Sequence, residues 1–236
     1  METKKLYREE PYRTSCEAEV VAVTPQGIQL NQTVFYGEAG GQIGDSGTLN
    51  GVQISDAQHI AGQMLMRPDA PMINVRTKIN HIPEKSGQLQ VGDVVLVEID
   101  WERRYKIMRM HTAGHLVYYY ALKFFGPDGD GRLHGRLKGC RLADDSGRFD
   151  FPSLGKLNAD DMQRIEEAAN TLIVKEADIT YDVDPEEPDL RWWQCDEIGM
   201  YCGGTHVRNT RELGPIQVKR RAKGKGLERI YLTLES

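Results

Sequence analysis

Cysteine is scarce in this chain. The four present, Cys16, Cys140, Cys195 and Cys202, are spread over 236 residues with no framework spacing. A disulfide-stapled scaffold is therefore not expected, and reduced thiols in the cytoplasm are. No apolar run approaches the length that crosses a bilayer, so no membrane partner is expected. The charged opening Met-Glu-Thr-Lys-Lys-Leu-Tyr-Arg-Glu-Glu has no apolar stretch in it, so a secretory leader is not expected either. Basic excess is missing as well. A net charge of −5 excludes a uniformly basic nucleic-acid binder but leaves room for a local basic face. There is no internal repeat and no low-complexity tract. The glycine clusters are not a Walker loop, because no Gly-Lys-Ser/Thr follows them, and no other motif of an ATP-binding synthetase domain is present. ATP is not an expected partner.

What is there changes period part-way along. Up to about residue 100 the pattern is short and strand-like. Cys16 to Thr24 reads as a strand, Pro25-Gln26-Gly27 as a turn, and Gly27 to Val34 as the return strand. Val52 to Gln58, Ile73 to Asn80 and Val94 to Asp100 read as further strands, and Met64 to Pro71, with two prolines, as a loop. Inside this region lies Glu38-Ala39-Gly40-Gly41-Gln42-Ile43-Gly44-Asp45-Ser46-Gly47. Its four glycines permit positive φ and close backbone approach, which suits a loop facing a ligand or a neighbouring domain, or a hairpin tip. Near Trp101 the period becomes about 3.6. Ile107, Met110, Gly114, Val117, Ala121 and Phe125 form one stripe of a helix over 102–125, ended by Gly126-Pro127-Asp128-Gly129. Leu133 to Leu142 and Arg148 to Phe151 read as a hairpin. A second helix is capped by Asn158, with Met162, Ile165, Ala169, Leu172 and Ile173 as its core face. Asp178 to Asp184, Arg191 to Asp196, 215–222 and 227–234 read as strands. The expected class is α+β, with a small β-barrel-like domain over 1–100 and helices packed on a largely antiparallel sheet over 101–236.

Two distant stretches carry the chemistry. His111-Thr112-Ala113-Gly114-His115 places two imidazoles one helical turn apart on one face. Cys202-Gly203-Gly204-Thr205-His206 offers a thiol and a third imidazole. Either motif alone is a weak signal. Together they form a donor set that suits zinc better than magnesium or calcium, which prefer oxygen. Three protein ligands leave an open fourth position; four make the ion positional. A zincin helix, H-E-x-x-H, is excluded, since Thr112 stands where the general base would be.

Charge is uneven. Between Arg208 and Arg229 the bases Arg208, Arg211, Lys219, Arg220, Arg221, Lys223, Lys225 and Arg229 face only Glu212 and Glu228, eight against two. A solvated edge strand would explain this. Its closeness to the metal motif instead favours a polyanionic substrate whose reactive end sits near the ion. Arg208, Lys219, Arg220, Arg221, Lys223 and Lys225 are the candidate phosphate contacts.

The pairing of His-Thr-Ala-Gly-His with Cys-Gly-Gly-Thr-His resembles the editing domain of alanyl-tRNA synthetases, and more closely the free-standing editing proteins of the AlaX family, medium-length class. Phe35 to Gly47 is similar to the family's glycine-rich motif, Arg148-Phe149-Asp150-Phe151 to a strand that follows its hairpin, and Cys202 to Gly214 to its most specific signature. The resemblance covers about residue 15 to the end. It implies a barrel-like domain beside an editing domain of the threonyl/alanyl-tRNA synthetase second-additional-domain type. It also implies zinc held by His111, His115, Cys202 and His206, and a glycine-rich loop whose Gly40, Gly41, Gln42 and Asp45 lie near the substrate, with His134 a further candidate. The implied activity is hydrolysis of the ester in Ser-tRNA(Ala) or Gly-tRNA(Ala), with the acceptor end of tRNA as partner. Such an activity is needed because one methylene or hydroxyl gives an alanine pocket only about 1–3 kcal/mol of discrimination. Two other readings stay open: a non-catalytic zinc-stabilised tRNA-binding module, and a zinc hydrolase of small amino-acid esters.

Overall fold

A computed structural model describes residues 2–67, 72–85, 87–131, 137–152, 154–222 and 226–235. Among them are two α-helices and five sheets. The chain divides into two compact units. The first comprises Met1–Tyr105, Tyr181–Trp193 and Met200–Thr205. The second comprises Lys106–Thr180, Gln194–Gly199 and His206–Ser236.

In the first unit the strands are β1 (Lys4–Lys5), β2 (Ser15–Thr24), β3 (Gly27–Leu30), β4 (Gln32–Thr33), β5 (Gly47–Leu49), β6 (Val52–Ile60), β7 (Gln63–Leu65), β8 (Ile73–Val75), β9 (Lys78–Pro83) and β10 (Val94–Ile99). Six of them close a barrel in the order β10-β2-β3-β9-β6-β5. The alternation that signalled strands is what fills it. Cys16, Ala18 and Val20 of β2 point inward between Glu17 and Glu19, and Val95, Val97 and Ile99 do the same on β10. With Leu30, Phe35, Leu49, Ile54 and Ile79 they make one core, each large side chain contributing about 1.5–3 kcal/mol by leaving water. Register shifts at Val20/Ala22 and Ile54/Asp56 supply the local bends that closure needs.

Three expectations need correction here. Gly27 to Val34 is not one strand: β3 stays in the barrel, while β4, beyond Asn31, pairs in parallel with β1. Ile73 to Asn80 is likewise two strands, broken at Arg76, whose φ is 54°. Met64 to Pro71 is not loop throughout, because β7 pairs antiparallel with β8.

The long helix α1 (Trp101–Phe125) follows β10 directly. Asp100 caps it, its Oδ1 accepting the Arg103 N–H at 3.1 Å. Beyond the expected stripe, Met108, Ala113, Leu116, Tyr120 and Leu122 are also buried, so the helix is enclosed nearly all round.

In the second unit β11 (Gly139–Leu142), β12 (Gly147–Phe151), β16 (Ile216–Ala222) and β17 (Glu228–Leu234) form a sheet in the order β11-β12-β17-β16. Of the hairpin arm expected from Leu133, the described part is strand from Gly139, and residues 132–136 lie outside the described set. Gly114 lets α1 approach this sheet, since a Cβ there would meet Leu142 Cδ2 at 2.9 Å. Helix α2 (Ala159–Val174) has the expected cap, with Asn158 and Asp161 exchanging side-chain and backbone bonds, and its Met162, Ile165, Ala169 and Leu172 are buried. It also covers the sheet edge. Asn170 bonds both the N–H and C=O of Ile216, and Glu166 accepts the Val218 N–H at 2.7 Å. Strands β13 (Ile179–Val183), β14 (Arg191–Cys195) and β15 (Ile198–Tyr201) form a three-stranded sheet that delivers the chain to Cys202. No helix among the described residues is long and apolar enough to cross a membrane.

Candidate metal centre

Helix α1 places His111 and His115 one turn apart, with ring centroids 4.9 Å from each other. The segment after β15 brings His206 against both, at 4.1 Å from His111 and 4.5 Å from His115. The ligating nitrogens of these three lie within 4.8 Å of one another. All three side chains are buried. Burial pushes the His111 pKa down to about 3; burial and then the neighbouring His111 hold His115 well below the usual histidine range. Both are neutral imidazoles at pH 7, the form that ligates metal.

Thr112, the residue that excluded a zincin, has a role the sequence did not signal. Its hydroxyl donates to the Met108 carbonyl at 2.9 Å, one turn back. The same oxygen lies 3.0 Å from His206 Nδ1 and accepts the Val207 N–H at 3.3 Å. A hydroxyl has one proton and two lone pairs. With the proton on Met108 O, the oxygen accepts from His206 Nδ1–H, which fixes the tautomer with Nε2 bare. That is the usual outer-shell support of a metal-ligating imidazole.

Cys202 stands four residues ahead of His206 on the same stretch. Its backbone N–H donates to Arg191 O at 2.9 Å, and the Gly204 N–H points at its Sγ at 3.4 Å. Burial pushes the thiol up to about 11, against the lowering effects of the Gly204 N–H and the Arg191 charge. A divalent ion would reverse that balance, since a coordinating thiol is deprotonated outright. His111, His115, Cys202 and His206 are thus a set of side chains that could hold a metal ion. Nitrogen and sulfur donors without carboxylates fit zinc.

The glycine-rich segment resolves into two halves. Gly40 and Gly41 have φ of 60° and 91° and make a tight turn in which Ala39 and Gln42 exchange backbone bonds. Gly44 and Gly47 instead allow contact, since a Cβ at either would lie 2.1 Å from the carbonyl of Ala57 or Glu98. Gln42 is buried and clamps the other motif within its own unit. Its Nε2 donates to Thr205 Oγ1 at 2.8 Å, and its Oε1 accepts the Thr205 N–H at 3.0 Å. Asp45 is buried too, and both of its oxygens are engaged. They accept from Arg104 Nε at 2.9 Å each, and Oδ2 also accepts from Arg104 Nη2 and the Tyr36 N–H. Asp45 therefore anchors the loop to the start of α1.

Among the basic candidates, Lys219 and Arg221 are exposed on β16, as is Arg208 just after the motif. Arg220 is turned to the other face of β16, where Glu228 takes its Nε and Nη2 at 2.6 and 2.8 Å. His134, Lys223 and Lys225 lie outside the described residues.

Comparison with known proteins gives this arrangement a place. Residues 201–231 match the model of the threonyl and alanyl tRNA synthetase second additional domain. Residues 5–103 match that of class II (A) tRNA synthetases. The molecule is thus related to parts of class II tRNA synthetases. It is 33% identical over 240 residues to the alanine–tRNA ligase of Sulfurisphaera tokodaii and 32% identical over 247 residues to that of Natronomonas pharaonis, 92% of this chain and 24% of each ligase. The chain therefore spans about a quarter of the ligases it matches. It is 31% identical over 236 residues to the alanyl-tRNA editing protein AlaX-M of Pyrococcus horikoshii, covering 99% of this chain and 98% of that one. The chain belongs to the AlaX family of alanyl-tRNA editing proteins.

Proposed function

We propose that this protein is a zinc-dependent deacylase acting in trans on tRNA for alanine that carries serine or glycine. The observation that carries the proposal is the convergence of three buried imidazoles in a chain 31% identical along its length to an alanyl-tRNA editing protein. His111, His115, Cys202 and His206 hold the ion. Bound zinc supplies a Lewis-acidic centre for the aminoacyl ester at the terminal adenosine. Thr112 keeps the His206 lone pair on the centre, and Gln42 keeps Thr205, and with it the ligand segment, in place. The burial of these groups limits water at the site and strengthens the electrostatics there. The turn at Gly40 and Gly41 borders the substrate. The exposed bases Arg208, Lys219 and Arg221, with Lys223 and Lys225, hold the acceptor end by its phosphates, and His134 contributes to amino-acid choice. Four cysteines with no framework spacing suit a reducing cytoplasm, and neither ATP nor a membrane takes part.

The test is deacylation of Ser-, Gly- and Ala-charged tRNA with and without chelator, in the wild type and in Cys202→Ala. Hydrolysis of the Ser or Gly ester, abolished by chelator and reduced more than about 10²-fold in Cys202→Ala, is expected, because losing a ligand costs more than losing an outer-shell partner. Retained zinc-dependent hydrolysis in Cys202→Ala would contradict the ligand set. Tight tRNA binding with no turnover would favour the non-catalytic module.

A further inference from the structure

The register of the four-stranded sheet sorts its charges by face. Residues paired across antiparallel strands share a face. One face carries Leu142, Phe149, Phe151, Ile230, Leu232 and Val218, and α1 lies on it, with Tyr118 5.9 Å from Phe149 and 5.8 Å from Phe151 between ring centroids. On the opposite face, Arg141 pairs with Arg148, Arg148 with Tyr231, and Tyr231 with Lys219, so one row crosses all four strands. The next row runs from Asp150 through Arg229 to Arg221. Arg141, Lys219 and Arg221 are exposed, and Arg148 and Tyr231 are half-buried. Among the described strand residues of this face, Asp150 is the only carboxylate, and it is taken up by Arg229 in a two-pronged pair. Arg229 in turn bonds the Tyr231 hydroxyl at 3.1 Å and sits 5.6 Å from the ring centroid. Arg229 is thus a neutralised support that holds the aromatic ring in place. Arg148 and Lys219 flank that ring, Arg221 lies diagonal to it and Arg141 one strand further on, and no other carboxylate among the described strand residues of this face opposes them.

We infer that this face receives an RNA strand, its phosphates on Arg141, Arg148, Lys219 and Arg221 and a base on the Tyr231 ring. A sheet that presents cations around a fixed aromatic fits single-stranded nucleic acid, because every base has a π-face to stack and every nucleotide a charge to neutralise. The inference rests on tRNA being the substrate, and it goes further in assigning the contact. It adds Arg141 and Arg148, which lie far from the basic segment in sequence, and Tyr231, just beyond its end, and it removes Arg220, which faces the other way and is paired with Glu228.

The experiment measures binding of fluorescently labelled, uncharged tRNA for alanine to the full chain across about 50 to 300 mM salt. The combined variant Arg141→Gln, Arg148→Gln, Lys219→Gln, Arg221→Gln is expected to flatten the slope of log K against log salt by about 3. It should also weaken binding on the order of 10²-fold near 0.1 M salt. Tyr231→Ala is expected to weaken binding roughly tenfold, with Tyr231→Phe close to wild type. Arg220→Gln, on the same strand but the other face, should leave the slope unchanged. If the combined variant does not fold, as judged by its unfolding transition, the four single variants replace it, each flattening the slope by about 0.7. An unaltered slope in a folded variant, while the wild type still binds and deacylates tRNA, overturns the assigned face and leaves the proposed activity standing. A wild type that neither binds nor deacylates tRNA overturns both.

Discussion

In the first unit Gln42, Asp45 and Arg104 are buried, and their side-chain hydrogen bonds include ones to Thr205, to the Tyr36, Val34 and Pro11 backbone, and to one another. In the second unit His111, His115 and His206 are also buried, but their ligating nitrogens are turned toward each other. The two regions spend polar groups differently. The first uses a charge pair and an amide to hold a loop, each bonded to neighbouring protein groups. The second gathers several lone pairs at one spot in a poorly solvated place, which is favourable when they share a cation. Buried polarity that closes on itself marks scaffold, whereas buried polarity that converges marks a centre for something else.

The contrast can be broken from the scaffold side first. Asp45→Asn keeps the shape but leaves the Arg104 guanidinium buried without its counter-charge. Stability should fall by about 3–5 kcal/mol in urea titration, while the zinc bound per folded chain stays at the wild-type level. A proportionate loss of zinc from the folded fraction would show that the two regions are not separate devices.

Acid offers a second way in. His81 is fully buried in the barrel, donating from Nδ1 to Ile28 O at 3.0 Å and lying 2.8 Å from Thr33 Oγ1 through Nε2. Burial pulls its pKa down to about 4, against the bond to Ile28, which raises it. Between the unfolded value near 6.5 and the folded value near 4, the unfolded chain binds more protons. The stability contributed by neutral His81 is therefore complete above about pH 6.5, declines as pH falls, and is lost by about pH 4, roughly 3 kcal/mol in all. Chemical unfolding of the metal-free protein across this range should show the decline, and His81→Gln should flatten it. An equal slope in the variant would remove His81 as its source.

The smallest effect sharpens the centre itself. Thr112→Val leaves the His206 Nδ1 and the Val207 N–H without their acceptor. Zinc affinity in competition titration should drop by about 10- to 100-fold, and Thr112→Ser should recover it. Equal affinities for the Val and Ser variants would mean that the hydroxyl does not orient His206.

Much of this was legible from spacing. Four-residue intervals announced the His111–His115 pair and the Cys202–His206 stretch, and period-2 runs located most strands, because both patterns are local. The rest depends on long-range meetings. Nothing around Thr112 indicates that Val207 and His206 will approach its hydroxyl. Asp45 reads as a loop carboxylate until Arg104, 59 residues on, comes to lie beside it. Arg76 gives no sign of the positive φ that splits its strand. The basic run around Lys219 reads as one patch, yet the pleat sends Arg220 to one side of the sheet and its neighbours to the other. Burial on all sides of α1 likewise exceeds what one apolar stripe conveys, because Met108 and Leu116 lie off that stripe.

The bond between Gln42 and Thr205 bridges 163 positions. During synthesis the barrel strands leave the ribosome long before Thr205 does, so the glycine-rich turn must wait with its amide in water. Only when the last fifth of the chain arrives does the latch shut, and the ligand segment is then fixed in the same event. A product terminated before Thr205 therefore lacks both the latch and His206, so the group of side chains that could hold an ion is incomplete until translation of the polypeptide is nearly finished.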